Sequence, residues 1–117
     1  MKRPWQITNE EHWLDTCEKI VRAARGVLDG SLGITEGARL LSSLGGSALA
    51  EEDDEDFVVF TGIFSETMAF PIGDVRSRWS AEALARSDAE RAAVEALWRD
   101  RAEKAAKNLV EKYDNAA

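Results

Sequence analysis

The chain has 117 residues, of which 44% are hydrophobic and 32% are charged, and its formal net charge at pH 7 is −7. This length is typical of one domain with a core of its own, and a disordered chain would be poorer in apolar residues. The acidic balance argues against nucleic-acid binding, which depends mainly on Lys and Arg neutralising phosphates. We therefore expect a single soluble domain over residues 1–117.

The net charge comes entirely from the middle of the chain. Residues 1–50 carry six acids and six bases, residues 74–117 carry nine of each, and residues 51–73 carry seven acids and no base. Such a concentrated charge steers basic partners toward the protein and repels phosphate. Most of it lies in the acidic run, which consists of Glu51, Glu52, Asp53, Asp54, Glu55 and Asp56.

The first predicted helix follows a capping pattern. Thr8 and Glu11 have the spacing of a capping box, which predicts that a helix starts at Thr8. Apolar residues then recur at steps of three and four, at Trp13, Leu14, Cys17, Ile20, Val21, Ala24, Val27 and Leu28. Gly30 and Gly33 predict the end of this helix. The only cysteine lies inside the apolar pattern, so we expect a small buried apolar residue and no redox or catalytic role.

A second, shorter helix is predicted from Thr35, a residue type favoured as an N-cap. Ala38, Leu41 and Leu44 would share one side of it. The pair Gly45 and Gly46 predicts its end.

The third helix is predicted to begin in the acidic run, because carboxylates stabilise the positive end of a helix dipole. Asp53 and Asp56 are assigned to the helix start. Its apolar face would contain Phe57, Phe60, Phe64 and Met68. β-Branched and aromatic content makes a strand over residues 57–64 the alternative, and the continued period of three to four favours the helix.

The rest of the chain is predicted to turn and then form a long helix. Pro71 and Gly73 occupy the second and fourth positions of a type I turn, and a short helical segment over residues 75–84 follows. Ser87 and Glu90 form a second capping box, which predicts a final helix of about 26 residues. Its buried stripe would contain Val94, Leu97, Trp98, Ala102, Ala105, Ala106, Leu109, Val110 and Tyr113. The expected fold is an all-α bundle of about four main helices with a long C-terminal helix.

The residue types exclude the common forms of catalysis. One His and one Cys are too few for the usual metal sites or nucleophile–base pairs, so we expect no enzyme, no catalytic residues, no metal and no cofactor. No apolar run approaches the roughly 18 residues that a membrane-spanning helix needs. The N-terminus also lacks a signal-peptide core, which predicts a cytoplasmic protein with no membrane partner.

A second group of polar residues surrounds the predicted turn. Glu66 is predicted to meet Arg76 or Arg78, with Trp79 stacked on a guanidinium group. The group would be either a structural clamp between two helices or a small binding site, and the clamp is favoured because charges near a turn usually have local partners. Trp79 and Trp98 lie in apolar patterns and are expected in the core, while Trp5 is expected to pack on the end of the bundle.

The order of motifs resembles that of small α-helical bacterial proteins, some of which look like immunity proteins encoded beside secreted or contact-delivered toxins. The resemblance rests on residues 34–39, the acidic run with Phe57 and Phe60, residues 65–67 and 71–73, Arg76, Trp79 and a last helix rich in Glu and Arg. It implies an α-helical fold and a protein partner, and no active residue is carried over.

The leading hypothesis is a non-catalytic immunity-type inhibitor whose acidic run occupies the basic cleft of a nuclease-like toxin. The alternatives are a self-associating regulatory or scaffold protein, using an apolar stripe on the last helix, and an enzyme with carboxylate chemistry through Glu66. The acidic run is otherwise a solvated helix start with no partner.

Overall fold

A computed structural model describes residues 2–51 and 53–114. Four α-helices follow one another along the chain: α1 (Glu10–Asp29), α2 (Ile34–Ser47), α3 (Glu55–Thr67) and α4 (Ala81–Tyr113). A 3₁₀ segment, Gly73–Arg78, connects α3 to α4. Within the described residues there is no strand, so the predicted all-α bundle with a long C-terminal helix is confirmed.

α1 begins one residue later than its capping pattern predicts. Asn9, and not Thr8, is the N-cap, and its side-chain oxygen accepts a hydrogen bond of 2.9 Å from the backbone N–H of His12. Asn ranks above Thr at this position, so the cap moves to the better of two adjacent candidates. The helix ends as predicted at Gly30, whose φ of 81° is the left-handed conformation that glycine accepts.

α2 differs from its prediction at both ends. Its N-cap is Gly33, and Thr35 lies inside the helix, where its N–H and hydroxyl both donate to Glu95 of α4 at 3.0 and 2.8 Å. A carboxylate from another helix thus satisfies a backbone N–H of the first turn, which Gly33 has no side chain to cap. The helix also continues through Gly45 and Gly46 to Ser47.

α3 is a helix, which decides against the strand alternative for residues 57–64. Phe57, Phe60 and Ile63 form its buried face. The predicted face was partly wrong, because Phe64 is only half-buried and Met68 is 63% exposed. The side chain of Arg39 donates to the carbonyls of Thr67 and Phe70 at 3.2 and 3.0 Å, which ties α2 to the C-terminal end of α3.

The predicted type I turn at residues 70–73 is wrong. Ile72, its third residue, is extended at φ −134° and ψ 155°, whereas a type I turn needs values near −90° and 0°. Gly73 has a φ of 70°, and its freedom to adopt this conformation lets the 3₁₀ segment start directly after the extended residue.

α4 is one helix of 33 residues and not a short segment followed by a helix of about 26. Ser80 is its N-cap, accepting a 3.1 Å hydrogen bond from the N–H of Ala83, and the predicted cap Ser87 is buried inside the helix, beyond its first turn. Since residues 74–117 contain no Gly or Pro, nothing in the sequence interrupts it. At about 1.5 Å per residue α4 spans the 49 Å long axis of the molecule.

The core lies between α4 and the other three helices. α1 packs against α2 and α4, and α3 packs against the same two helices. Cys17 is buried in this core, as predicted. The ring of Tyr113 joins three helices, because it lies 6.2 Å from Trp13 of α1 and 6.0 Å from Phe57 of α3, measured between ring centroids.

Three expected core or packing residues are at the surface. Leu97 is 77% exposed, Trp79 is 39% exposed and Trp5 is 84% exposed. The rest of the predicted α4 stripe is buried or half-buried. Within the described residues, no helix combines the length and apolar character required to cross a membrane.

Candidate binding site at the corner of α2 and α3

α2 ends in a Schellman motif, with a leucine where glycine is usual. The N–H of Ala50 donates to the carbonyl of Gly45 at 3.0 Å, and the N–H of Leu49 donates to that of Gly46 at 3.1 Å. Leu49 has a φ of 52°, a left-handed conformation that costs an L-residue with a side chain roughly 1–2 kcal/mol. Backbone strain of this kind is concentrated at functional sites, so the C-terminal end of α2 is a candidate for one.

Beside this motif the structure forms a small depression of about 200 Å³, here called the corner pocket. Its lining residues are Ser42, Gly45, Gly46, Ala50, Glu51, Phe57, Val58 and Thr61. They include one carboxylate, two hydroxyl groups and no base. The pocket therefore favours a ligand that is cationic at one end and apolar along its length.

The two glycines of the pocket have different surroundings. A Cβ atom added to Gly45 would lie 2.7 Å from the ring of Phe57, so glycine allows α2 and α3 to approach closely here. A Cβ atom added to Gly46 would meet nothing within 4 Å. Gly46 thus faces open space, and a larger residue there fills space without displacing the fold.

Apolar and polar groups at this corner are left without partners. Val58 is 48% exposed and Leu49 is 49% exposed. Ser42 Oγ is buried and makes no hydrogen bond to a described residue. It has almost no solvent-accessible surface, so in this structure it is not an acceptor for a group in the corner pocket.

The structure divides the acidic run into two groups with different roles. Asp54 is the N-cap of α3, accepting hydrogen bonds from the N–H groups of Asp56 and Phe57 at 3.0 and 3.2 Å. Glu51, Asp53 and Glu55 are exposed. Glu52 lies outside the described residues.

Asp56 joins α3 to α4. This carboxylate is 6% exposed and accepts hydrogen bonds from Lys112 Nζ at 2.6 Å and Asn108 Nδ2 at 3.1 Å. Lys112 Nζ also lies 3.5 Å from Asp54. The assignment of Asp53 to the helix start was therefore wrong, because the cap is Asp54 and Asp53 is exposed. Asp56 does lie in the first turn of α3, as assigned, and it also contacts α4.

Lys112 stays charged in this environment. Burial alone would lower its pKa, but the hydrogen bond to Asp56 and the negative charges of Asp54 and Asp56 outweigh it, so the pKa is raised. Asp54 and Asp56 thus have an internal cationic partner, and a protein ligand is left with the exposed carboxylates of Glu51, Asp53 and Glu55.

The second predicted group of polar residues does not assemble. Glu66 accepts a 2.6 Å hydrogen bond from Trp98 Nε1, and the guanidinium group of Arg101 lies 3.9 Å from the centre of that indole ring. The predicted pairing of Glu66 with Arg76 or Arg78 was therefore wrong, as was the stacking of Trp79. The indole that stacks on a guanidinium group is on α4.

A clamp nevertheless exists, with different partners. Arg76 pairs with Asp88 of α4 through two bonds of 2.8 Å and also donates to the carbonyl of Pro71 at 3.1 Å. The hydrogen bond from Arg76 is the main reason that the pKa of Asp88 is lowered. Arg78 and Trp79 are exposed, and their side chains take no part in the pair of Arg76 with Asp88. Asp88 carries no motif in the sequence that would identify it as the partner.

Two larger depressions elsewhere have less distinctive chemistry. The one between α1 and the end of α4 measures about 490 Å³ and contains both signs of charge, already paired in part as Arg25–Asp114 and Arg22–Glu18. Between α1 and α2, a groove of about 380 Å³ is mainly apolar. The corner pocket is smaller, but half of its lining residues belong to the stretch that carries the net charge of the molecule.

Comparison with curated proteins and with solved structures finds no match. Residues 6–109 match the family described as Protein of unknown function (DUF2489). This match covers most of the chain, which therefore belongs to the DUF2489 family.

Proposed function

We propose that the protein is a non-catalytic binding module that docks a basic protein at the corner of α2 and α3. The single observation that carries the proposal is the coincidence of three exposed carboxylates, Glu51, Asp53 and Glu55, with a pocket in a stretch that has no base. Complementary charge speeds association and selects partners, while apolar contact supplies affinity.

The cellular role that we propose is that of an immunity-type inhibitor, in which this corner covers the basic cleft of a nuclease-like toxin. A cleft that binds phosphates must be rich in Lys and Arg. The exposed carboxylates meet those side chains, and Leu49 and Val58, each about half-exposed, contact the apolar surface between them. This arrangement blocks the substrate without any chemical step.

Self-association through α4 receives less support. The residues that would form its apolar stripe are buried or half-buried against the other helices, apart from Leu97. One exposed leucine is common on a soluble protein and does not by itself mark an interface. An enzyme that uses Glu66 is also less favoured, since Trp98 already engages that carboxylate.

The test uses the purified product of the gene adjacent to this one. The variant Glu51→Gln, Asp53→Asn, Glu55→Gln removes the exposed charge and keeps Asp54 and Asp56, which hold the fold. The control is Glu90→Gln, Asp100→Asn, Glu103→Gln, which changes the net charge equally at exposed positions of α4. We expect the first variant to weaken binding and to lose protection against the toxin, and the control to retain both.

Equal binding by the two variants would contradict the proposed interface. A neighbouring gene whose product is neither basic nor toxic would count against the immunity role. Melting temperatures of the variants, measured by circular dichroism, exclude unfolding as the cause of lost binding.

A further inference from the structure

We propose that the corner pocket receives one arginine side chain of the partner. This inference rests on the proposed function, and it names the group that the site recognises. The juxtaposition that carries it is a carboxylate at Glu51, a hydroxyl group at Thr61, and an apolar wall at Phe57 and Val58.

The size of the pocket suits one side chain. A volume of about 200 Å³ is enough for one long side chain, and the depression is open to solvent, so a side chain of a docked partner can enter it from the surface.

The chemistry of the lining favours arginine over lysine. A guanidinium group offers five donors in a planar fork, whereas an ammonium group is a point charge with three. Glu51 can accept two parallel hydrogen bonds from such a fork. The hydroxyl group of Thr61, an exposed residue of the lining, supplies a further acceptor. The methylene groups of arginine pack on Phe57 and Val58.

The ligand test is an NMR titration of the isotope-labelled protein with N-acetylarginine methylamide. The matched probes are the lysine analogue, which keeps the charge, and the citrulline analogue, which keeps the shape and loses the charge. We expect shifts of the backbone amides of Gly46, Glu51 and Val58, with the arginine probe binding at least about fivefold more tightly than the lysine probe. The citrulline probe should produce no saturable shift.

Two variants test whether the pocket is the site. Gly46→Leu places a side chain where an added Cβ atom meets nothing within 4 Å, so it should fold normally and abolish the shifts. The control Ser43→Leu adds the same side chain at an exposed residue of α2 outside the pocket lining, and should leave arginine binding unchanged. Unchanged binding by a folded Gly46→Leu protein would overturn the inference.

Different results would refute the arginine pocket and the proposed interface. Equal binding of the arginine and lysine probes, or shifts located elsewhere, would refute the arginine pocket even where the basic partner binds through the exposed carboxylates. Specific arginine binding by the unmodified protein, combined with a partner that is insensitive to loss of those carboxylates, would refute the proposed interface and leave an arginine-binding pocket that this partner does not use.

Discussion

Among the described residues, Leu49 is the only non-glycine residue with a positive φ. Its side chain is half-exposed, so packing offsets little of the free-energy cost of the left-handed conformation. Glycine at this position would remove that cost, although it also adds freedom to the unfolded chain. We therefore expect the side chain of Leu49 to have a role at the surface, since leucine at this position lowers the stability of the fold.

We predict that Leu49→Gly raises the free energy of unfolding by about 0.5–1 kcal/mol, the surplus of relieved strain over glycine's extra entropy. The control is Leu40→Gly, since Leu40 is equally exposed at 49% but lies inside α2. Glycine in a helix should lower that free energy by about 0.5–1 kcal/mol. Urea denaturation measures both, and destabilisation by Leu49→Gly would contradict the strain argument.

The burial of Tyr113 in the core can be measured directly through the ionisation of its hydroxyl group, because it is the only tyrosine in the chain. Burial, reinforced by nearby Asp54, raises its pKa from 10.0 to about 12. The folded protein thus holds this proton more tightly than the unfolded chain. The resulting stability is fully present below pH 10 and is lost as the pH rises through about 12.

Spectrophotometric titration of the tyrosine should therefore give a midpoint near 12 in the folded protein and near 10 in denaturant. Circular dichroism over the same range should show that the helices persist until the tyrosine ionises. A midpoint near 10 while the protein remains folded would place the hydroxyl in water and contradict the described packing.

At the scale of the helices, the contacts that decide the fold join residues far apart in the chain. Asp56 and Lys112, at 2.6 Å, are separated by 56 positions, and Thr35 and Glu95, at 2.8 Å, by 60. The number and type of the helices follow from apolar periodicity, which is local. Their ends follow less well, because Thr35 and Ser87 fit a capping pattern but have tertiary environments that the local sequence does not show.

We predict that Asp56→Ala lowers the free energy of unfolding by about 1–3 kcal/mol, because it removes the acceptor of Asn108 and Lys112 between α3 and α4. The adjacent change Glu55→Ala removes an exposed carboxylate and should stay within about 0.5 kcal/mol. Chemical denaturation compares the two. Equal effects would mean that Asp56 contributes no more than a surface charge.

The 3₁₀ segment should depend on Arg76 and not on Arg78. We predict faster amide hydrogen exchange over residues 73–78 in Arg76→Gln, because the pair with Asp88 and the bond to Pro71 are lost. Arg78→Gln, an exposed neighbour in the same segment, should exchange like the unmodified protein. Equal acceleration in both variants would show that the clamp does not hold the segment.

The clamp also has a defined pH dependence. The pKa of Asp88 is lowered by its hydrogen bond to Arg76, so the folded state prefers the ionised carboxylate. The stability from this pair is present above the ordinary pKa of an aspartate. It is lost as the pH falls through the lowered pKa.

For the molecule as a whole, the sequence predicts where the charge is concentrated. It does not predict which of the carboxylates pair inside the protein and which remain exposed. The sequence locates the excess of seven acids in residues 51–73. Only the fold shows that Lys112 pairs with Asp54 and Asp56, and that Glu51 borders a pocket. The pocket itself escaped prediction because its walls come from two helices whose register depends on the approach of Gly45 to Phe57.

The most direct test of the account is the association rate constant of the adjacent-gene product, measured by stopped flow as a function of ionic strength. At physiological salt the field of exposed charges reaches only about 8 Å, so attraction through the exposed carboxylates weakens as salt rises. We predict a steep decline for the unmodified protein and for the α4 control variant, and a slower, flatter association for the variant lacking the charges of Glu51, Asp53 and Glu55. The same rate and the same salt dependence in all three proteins would contradict the central claim that this corner recruits a basic partner.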